Sequence, residues 1–251
     1  MSEFDAFARF YDADYGSFLD DLPFYRALAR RTGGPAIELM CGSGRLLAPL
    51  AQEGVAITGV DISPALLTTA RRRLEALGLG KKVTLEIGDV RQPLPGGPYN
   101  LAFVAINSFM HLGSSEDQLA ALASVAQALD TGGVLALDLF NPDPRELLRQ
   151  NGELVLDKDF VMEDGTPVQK FVSQSVDMAE QISHVTFIYD ELVDGFVRRT
   201  TLPFDMRWLY RFELEHLLAR CGLELEALYG SYELDDYDQS SPLMLAVAVK
   251  P

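Results

Sequence analysis

From residue 36 the chain alternates short apolar runs with longer amphipathic stretches. Ala36-Ile37-Glu38-Leu39-Met40, Ala56 to Val60, Val83 to Ile87, Tyr99 to Ala105 and Val134 to Asp138 read as five strands. Helical patterns lie between them. One runs from Gly44 to Gln52. A second opens at Ser63-Pro64, an N-cap followed by a proline at the first helical position, and aligns Leu66, Leu67, Ala70, Leu74 and Leu77 before Gly78. A third carries Leu119, Leu122, Ala126 and Leu129, with Ser115 and Gln118 as a capping box and Gly132-Gly133 as its end. Such an alternation predicts an α/β fold with a mostly parallel sheet covered by helices on both faces.

The flanks read differently. Residues 1–34 interleave aromatic residues with aspartates, and Leu19 to Arg31 has apolar residues at helical spacing up to Gly33-Gly34. An arm followed by a helix is expected there. After Pro144 come strand-like segments rich in β-branched residues: Leu154-Val155-Leu156, Gln169 to Val176, Ile182 to Tyr189 and Val197 to Leu202. Turn signals at Asp164-Gly165 and Asp194-Gly195 separate them, which predicts an antiparallel β insertion. A helix over Tyr210 to Arg220 and strands at Glu224 to Tyr229 and Leu243 to Val249 then resume the alternation. The expected organisation is a single domain over 1–251: an N-terminal helical arm (1–34), a core (36–150), the insertion (151–205), and a C-terminal helix with hairpin strands (206–251).

Composition narrows the chemistry. The 251 residues include 21 basic and 37 acidic side chains, a net charge of −16. That charge opposes nucleic-acid binding, whose affinity comes from Lys and Arg at phosphates; a neutral or cationic small molecule fits better. The two cysteines, Cys41 and Cys221, exclude a disulfide scaffold and a cysteine zinc site. The start Met1-Ser2-Glu3-Phe4-Asp5 is unlike a signal peptide, and no apolar run approaches the ~20 residues of a membrane span. A cytoplasmic location without a membrane partner is expected, and the oligomeric state stays open, a homodimer included.

The strongest chemical signal is Ile37-Glu38-Leu39-Met40-Cys41-Gly42-Ser43-Gly44-Arg45, a strand running into a Gly-x-Gly loop before a helix. Such a loop lets backbone approach a ligand at the carboxyl edge of the sheet. Asp61 ends the second strand, where a carboxylate can accept both ribose hydroxyls, and Asp89 follows the third. Three such strand ends in a row would line one crevice.

On these residues the chain resembles the class I S-adenosylmethionine (SAM) methyltransferases, whose fold is a Rossmann-like, doubly wound, seven-stranded sheet. Glu38 to Gly44 is similar to the family's first motif around the methionine part of the cofactor. Asp61 matches its ribose acid, and Asp89 with Val90 the pair that reads adenine. Met40-Cys41 stands where Gly-Cys is common, and Glu38 where Asp is. The arm around Phe10 to Gly16, the stretch Asn107-Ser108-Phe109-Met110-His111-Leu112 and the β insertion resemble the glycine and amino-sugar N-methyltransferases. The resemblance implies S-adenosyl-L-methionine held by Tyr11, Glu38, Cys41, Gly42, Ser43, Gly44, Arg45, Asp61, Ile62, Asp89, Val90 and Ile106. It implies methyl transfer to a small-molecule acceptor, most naturally an amine nitrogen. His111 is the candidate base or positioner and Tyr15 a cover over the methionine end, although both residue types serve equally in packing. The insertion would wall the acceptor, and bound cofactor would shield the Cys41 thiol. Two other readings stay open: a nicotinamide-dependent oxidoreductase, weakened by Leu47 where a third glycine belongs, and a non-catalytic SAM-binding module.

Overall fold

The computed structural model describes residues 3–149 and 151–251; Met1 and Ser2 of the expected arm and Gln150 of the expected core lie outside them. Eleven strands and seven α-helices are assigned among the described residues. The strands of the first half are β1 (Ala36–Leu39), β2 (Ile57–Asp61), β3 (Val83–Ile87), β4 (Tyr99–Val104) and β5 (Leu129–Phe140). With β10 (Glu224–Tyr229) and β11 (Leu243–Val249) they form one sheet in the order β10-β11-β5-β4-β1-β2-β3. β11 runs antiparallel to both neighbours, and the other pairs are parallel. Strand order reverses between β1 and β4, the place where open α/β sheets leave a crevice at their carboxyl ends.

The helices are α1 (Tyr11–Tyr15), α2 (Leu22–Thr32), α3 (Leu47–Gln52), α4 (Pro64–Ala76), α5 (Ser115–Ala128), α6 (Pro144–Arg149) and α7 (Arg211–Arg220). The Ser63 hydroxyl caps α4 by accepting the Leu66 N–H at 3.2 Å, as the sequence predicts. The cap of α5 is Ser114, which accepts from Asp117 N at 3.1 Å, one residue before the expected Ser115. Asn141 to Asp143 form a loop that leads into α6, whose first residue is Pro144, a residue that suits a first helical turn. Two apolar clusters pack the faces of the sheet. In β1, Ile37 and Leu39 join one and Ala36 the other, so alternation turns Glu38 toward the α2–α3 side.

The segment after α6 folds as a four-stranded antiparallel sheet: β6 (Leu154–Val161), β7 (Pro167–Asp177), β8 (Ile182–Val193) and β9 (Phe196–Arg207). The N-terminal arm, a 3-10 helix over Glu3–Arg9 followed by α1, packs on it. Phe10 stacks on Tyr189 with centroids 4.1 Å apart. Beside them Asp14, its carboxylate fully buried, pairs with Lys170 and Lys158, each at 2.7 Å, and accepts the Tyr189 hydroxyl at 3.0 Å. Lys170 is 1% exposed and also meets Asp157 at 3.0 Å and the Phe187 ring at 3.9 Å.

Removing one partner of such a network strands a buried charge. Asp14→Ala should therefore destabilise the protein by about 3–5 kcal/mol, toward the lower end because Asp157 remains beside Lys170. Urea unfolding of the two proteins measures it, and an unchanged midpoint would contradict the role given to the network. The second outcome concerns Cys41. A Cβ built on Gly59 would lie 2.9 Å from its Sγ, so the thiol packs beneath β2 and not toward the crevice. Burial also pushes its pKa well up. The expected shielding of Cys41 by cofactor is thus replaced: a bulky thiol reagent should leave Cys41 unmodified with or without SAM, and modify Cys221 first. Mass spectrometry of the labelled folded protein checks this.

Candidate active site

A cleft of about 860 Å3, part of it open to solvent, lies at the carboxyl ends of β1, β2 and β3. Its floor is the loop after β1, where Gly42 and Gly44 have φ of +54° and +72°. A Cβ on Gly42 would stand 3.5 Å from the Tyr11 ring, and one on Gly44 3.2 Å from Ala70, so arm above and α4 below both press on the loop. Met40 also adopts φ +54° and lines the cleft. Glycine adopts this left-handed conformation without steric cost. A methionine pays roughly 1–2 kcal/mol for it and gains a side chain in the site.

Asp61, 6% exposed, is the hinge of the cleft. Its Oδ2 accepts the Gly42 N–H and its Oδ1 the Ser63 N–H, both at 2.8 Å. A carboxylate offers about four acceptor positions, so capacity for a further donor remains. Its pKa is raised, by burial first, against those N–H bonds and beside the Asp5 charge. Asp5 reaches from the arm to accept the Ser63 hydroxyl at 2.6 Å. Ile62, Asp89 and Val90 line the same cleft, as the sequence predicts.

Beneath the loop lies a group of buried acids. Glu38 is buried, its pKa is pushed up to about 8 chiefly by desolvation, and its Oε2 has no partner. The Ser43 hydroxyl is likewise buried and unpartnered. Arg45, expected to touch the cofactor, is committed elsewhere: its two terminal nitrogens grip the buried Asp21 carboxylate, and one also donates to the Phe18 carbonyl at 2.7 Å. Asp138 on β5 accepts Ile106 N–H at 3.1 Å and the Tyr232 hydroxyl at 2.7 Å, and burial lifts its pKa to about 6. Ile106 therefore shapes the backbone behind the site and does not line the cleft.

His111 ends a 3-10 turn over Ser108–His111 and lines the cleft. Phe4 of the arm and Phe204 of β9 enclose its ring, with centroids at 5.2 and 5.3 Å. Desolvation lowers its pKa to about 4, so the imidazole is neutral. The ring hydrogen-bonds the Asp205 backbone, and Nδ1 has no partner. The proton therefore sits on Nε2, and Nδ1 offers a lone pair. Tyr15 does not cover the cleft: its ring lies under Lys158 and Lys170, at 4.8 and 5.0 Å, and Tyr11 takes the covering place. Sequence reasoning left out Phe4, Arg91 and Asp117, which line the cleft as well. Only the aromatic spacing of the arm hinted at the first.

An unpaired buried carboxyl, a diol-sized pair of acceptors and an acidic surround fit a cationic amino-acid nucleoside such as SAM. Residues 36–133 match the family model described as a methyltransferase domain. Over 216 residues the chain is 27% identical to a cypemycin N-terminal methyltransferase from Streptomyces sp, covering 86% of this chain and 82% of the relative. The structure resembles the CcbJ methyltransferase from Streptomyces caelestis at 25% identity and a TM-score of 0.78, over 92% of this chain and 94% of that one. It shares its fold with the sugar N-methyltransferase KedS8 from Streptoalloteichus sp at 21% identity and a TM-score of 0.77, covering 98% and 92%. With the acid-flanked glycine loop of β1 and the buried acid that ends β2, these likenesses mark the chain as an S-adenosylmethionine-dependent methyltransferase similar to the class I enzymes, with its methyltransferase domain over residues 36–133.

Proposed function

We infer that the acceptor is a small-molecule amine, and that His111 Nδ1 receives the hydrogen bond of its N–H. The observation that carries this reading is the buried, unpartnered Nδ1 of a neutral imidazole on a residue that lines the cleft. The names of the relatives support it: one methylates an N-terminus, and another, 30% identical over 102 residues, is a dTDP-amino-sugar N,N-dimethyltransferase from Streptomyces venezuelae. That second match spans 40% of the relative, so it supports the amine and not the sugar.

SAM supplies a methyl group made electrophilic by a sulfonium. Glu38 would hold its methionine end, Asp61 its ribose, and Asp89 with Val90 its adenine. The chain's remaining task is to align an uncharged nitrogen and exclude water. Accepting one N–H at Nδ1 turns the amine's lone pair away from His111. An imidazole with a pKa near 4 does not hold the proton of a far more basic amine, so His111 orients the nitrogen and the proton leaves with solvent. Phe4, Phe204 and Leu112 keep that corner dry.

A screen of small amines with methyl-labelled SAM tests the acceptor class; label passing only to hydroxyl or carbon acceptors would refute it. His111→Ala should then lower turnover about ten- to hundredfold and leave SAM affinity nearly unchanged. Asp61→Ala should weaken SAM at least about tenfold, since charge-assisted hydrogen bonds contribute roughly 1.5–3 kcal/mol each. Calorimetric titration separates the two variants.

The raised pKa of Glu38 gives a further outcome. Near pH 6.5 the free protein holds it protonated, while a charged ammonium beside it favours the carboxylate. SAM binding at about that pH should release up to one proton, read from calorimetry in buffers of different ionisation enthalpy. Glu38→Gln should abolish the release. Persistence of the release in Glu38→Gln would assign the proton to another group.

A further inference from the structure

At the outer end of the cleft Arg91 bridges two carboxylates that belong to opposite walls. One wall is the turn after β3, where Gly88, Asp89 and Val90 line the cleft; the other carries Leu112 and Asp117, in the first turn of α5. Arg91 Nη2 lies 2.6 Å from Asp89 Oδ2, and Nε lies 2.9 and 3.1 Å from Oδ1 and Oδ2. Nη1 donates to Asp117 Oδ1 at 2.9 Å. The Arg91 main-chain N–H adds a bond to Asp89 Oδ1 at 3.0 Å. This fork-on-carboxylate geometry fixes both the position and the plane of the acceptor, which a lysine cannot do.

The accounting of lone pairs shows what remains. A carboxylate offers about four acceptor positions. The main-chain N–H and Nε occupy Oδ1, and Nη2 occupies one side of Oδ2, with Nε only a longer, shared contact there. One acceptor position on Oδ2 is left. We propose that Arg91 is a positioning residue for base recognition: it holds Asp89 so that this remaining lone pair receives the exocyclic amino group of adenine, while its bond to Asp117 ties the two walls of the slot. The lowered pKa of Asp89, caused first by the Arg91 side chain, agrees with a carboxylate kept as an acceptor throughout.

The proposal rests on the reading of Asp89 as the adenine acid, and its test separates the two. The probes are S-adenosylhomocysteine and its inosine counterpart, which presents a carbonyl where adenine presents the amino group. Calorimetry gives a Kd for each with wild type, Arg91→Ala, Arg91→Lys and Asp117→Asn. Wild type should prefer the adenine compound by about tenfold or more, one charge-assisted hydrogen bond. Arg91→Ala should cut that preference to about a third or less of the wild-type ratio, because Asp89 is then free to rotate. Arg91→Lys should fall between. Asp117→Asn should weaken both ligands alike and keep the ratio. If both ligands weaken equally in Arg91→Ala, Arg91 serves structure alone and the proposal fails while Asp89 keeps its role. If wild type itself shows no preference, the adenine reading of Asp89 fails and the proposal with it. Circular dichroism melts of each variant confirm that folded proteins are compared.

Discussion

Two N–H groups on one carboxylate hold the site together. Asp61 accepts Gly42 from the loop after β1 and Ser63 from the start of α4, so a single buried side chain joins the two segments that flank the cleft. A carboxylate has about four acceptor positions, so these two bonds leave capacity for the ribose role proposed for it. The same contacts fix the backbone of Gly42, which must run at φ +54° beneath Tyr11. Asp5 extends the arrangement to the arm by gripping the Ser63 hydroxyl. Floor, flank and cover of the cleft thus meet at the N-terminus of α4, where the helix dipole offsets part of the cost of two nearby carboxylates.

Below this junction the charge balance is lopsided. Asp21, Glu38 and Asp138 are all buried, and one guanidinium, Arg45, grips Asp21 and donates to the Phe18 carbonyl. The other two acids respond as desolvated carboxyls do, with pKa values raised to about 8 and about 6. Asp138 finds a hydroxyl and an N–H; Glu38 Oε2 finds nothing. A buried acid left half satisfied is costly in a resting protein. On the proposed reading, in which Glu38 meets the cofactor's ammonium, binding removes that penalty. The net charge of −16 strengthens the same preference at long range.

Periodicity carried most of the fold because it is local. The β/α alternation, the Ser63-Pro64 helix start and the strand ends bearing Asp61 and Asp89 each follow from residues within a turn or two of one another. Contacts between distant segments left no such trace. Arg45 reads as a loop cation beside a cofactor until Asp21, 24 residues upstream, is found inside its fork. Arg91 and Asp117 are 26 residues apart, on elements whose approach only the assembled sheet determines. Cys41 is a case of direction: the positive φ of Met40 breaks the alternation after β1, so the thiol joins the face of Ala36 and packs into the space that Gly59 leaves, a packing relation no motif encodes. Tyr11 and Tyr15 look equivalent in sequence. The lysines of β6 and β7 take the second and leave the first over the loop.

That division of the two tyrosines bears on how the walls of the site are built. Four residues after Phe10 stacks on Tyr189, Asp14 accepts the Tyr189 hydroxyl and binds the two lysines. The arm is therefore cross-linked to the four-stranded sheet over its second half, while its first half reaches the cleft through Phe4 and Asp5. The sheet in turn meets His111 through Phe204 and Asp205 of β9. His111 is thus enclosed by two segments that are themselves fastened to each other about a dozen residues away. Its dry surroundings and its single tautomer both depend on that fastening. Its pKa stays near 4, well below the ordinary imidazole value, while Phe4 and Phe204 exclude water from it. The buried ion pairs of Asp14, far in sequence from any motif, are therefore part of what makes Nδ1 an acceptor.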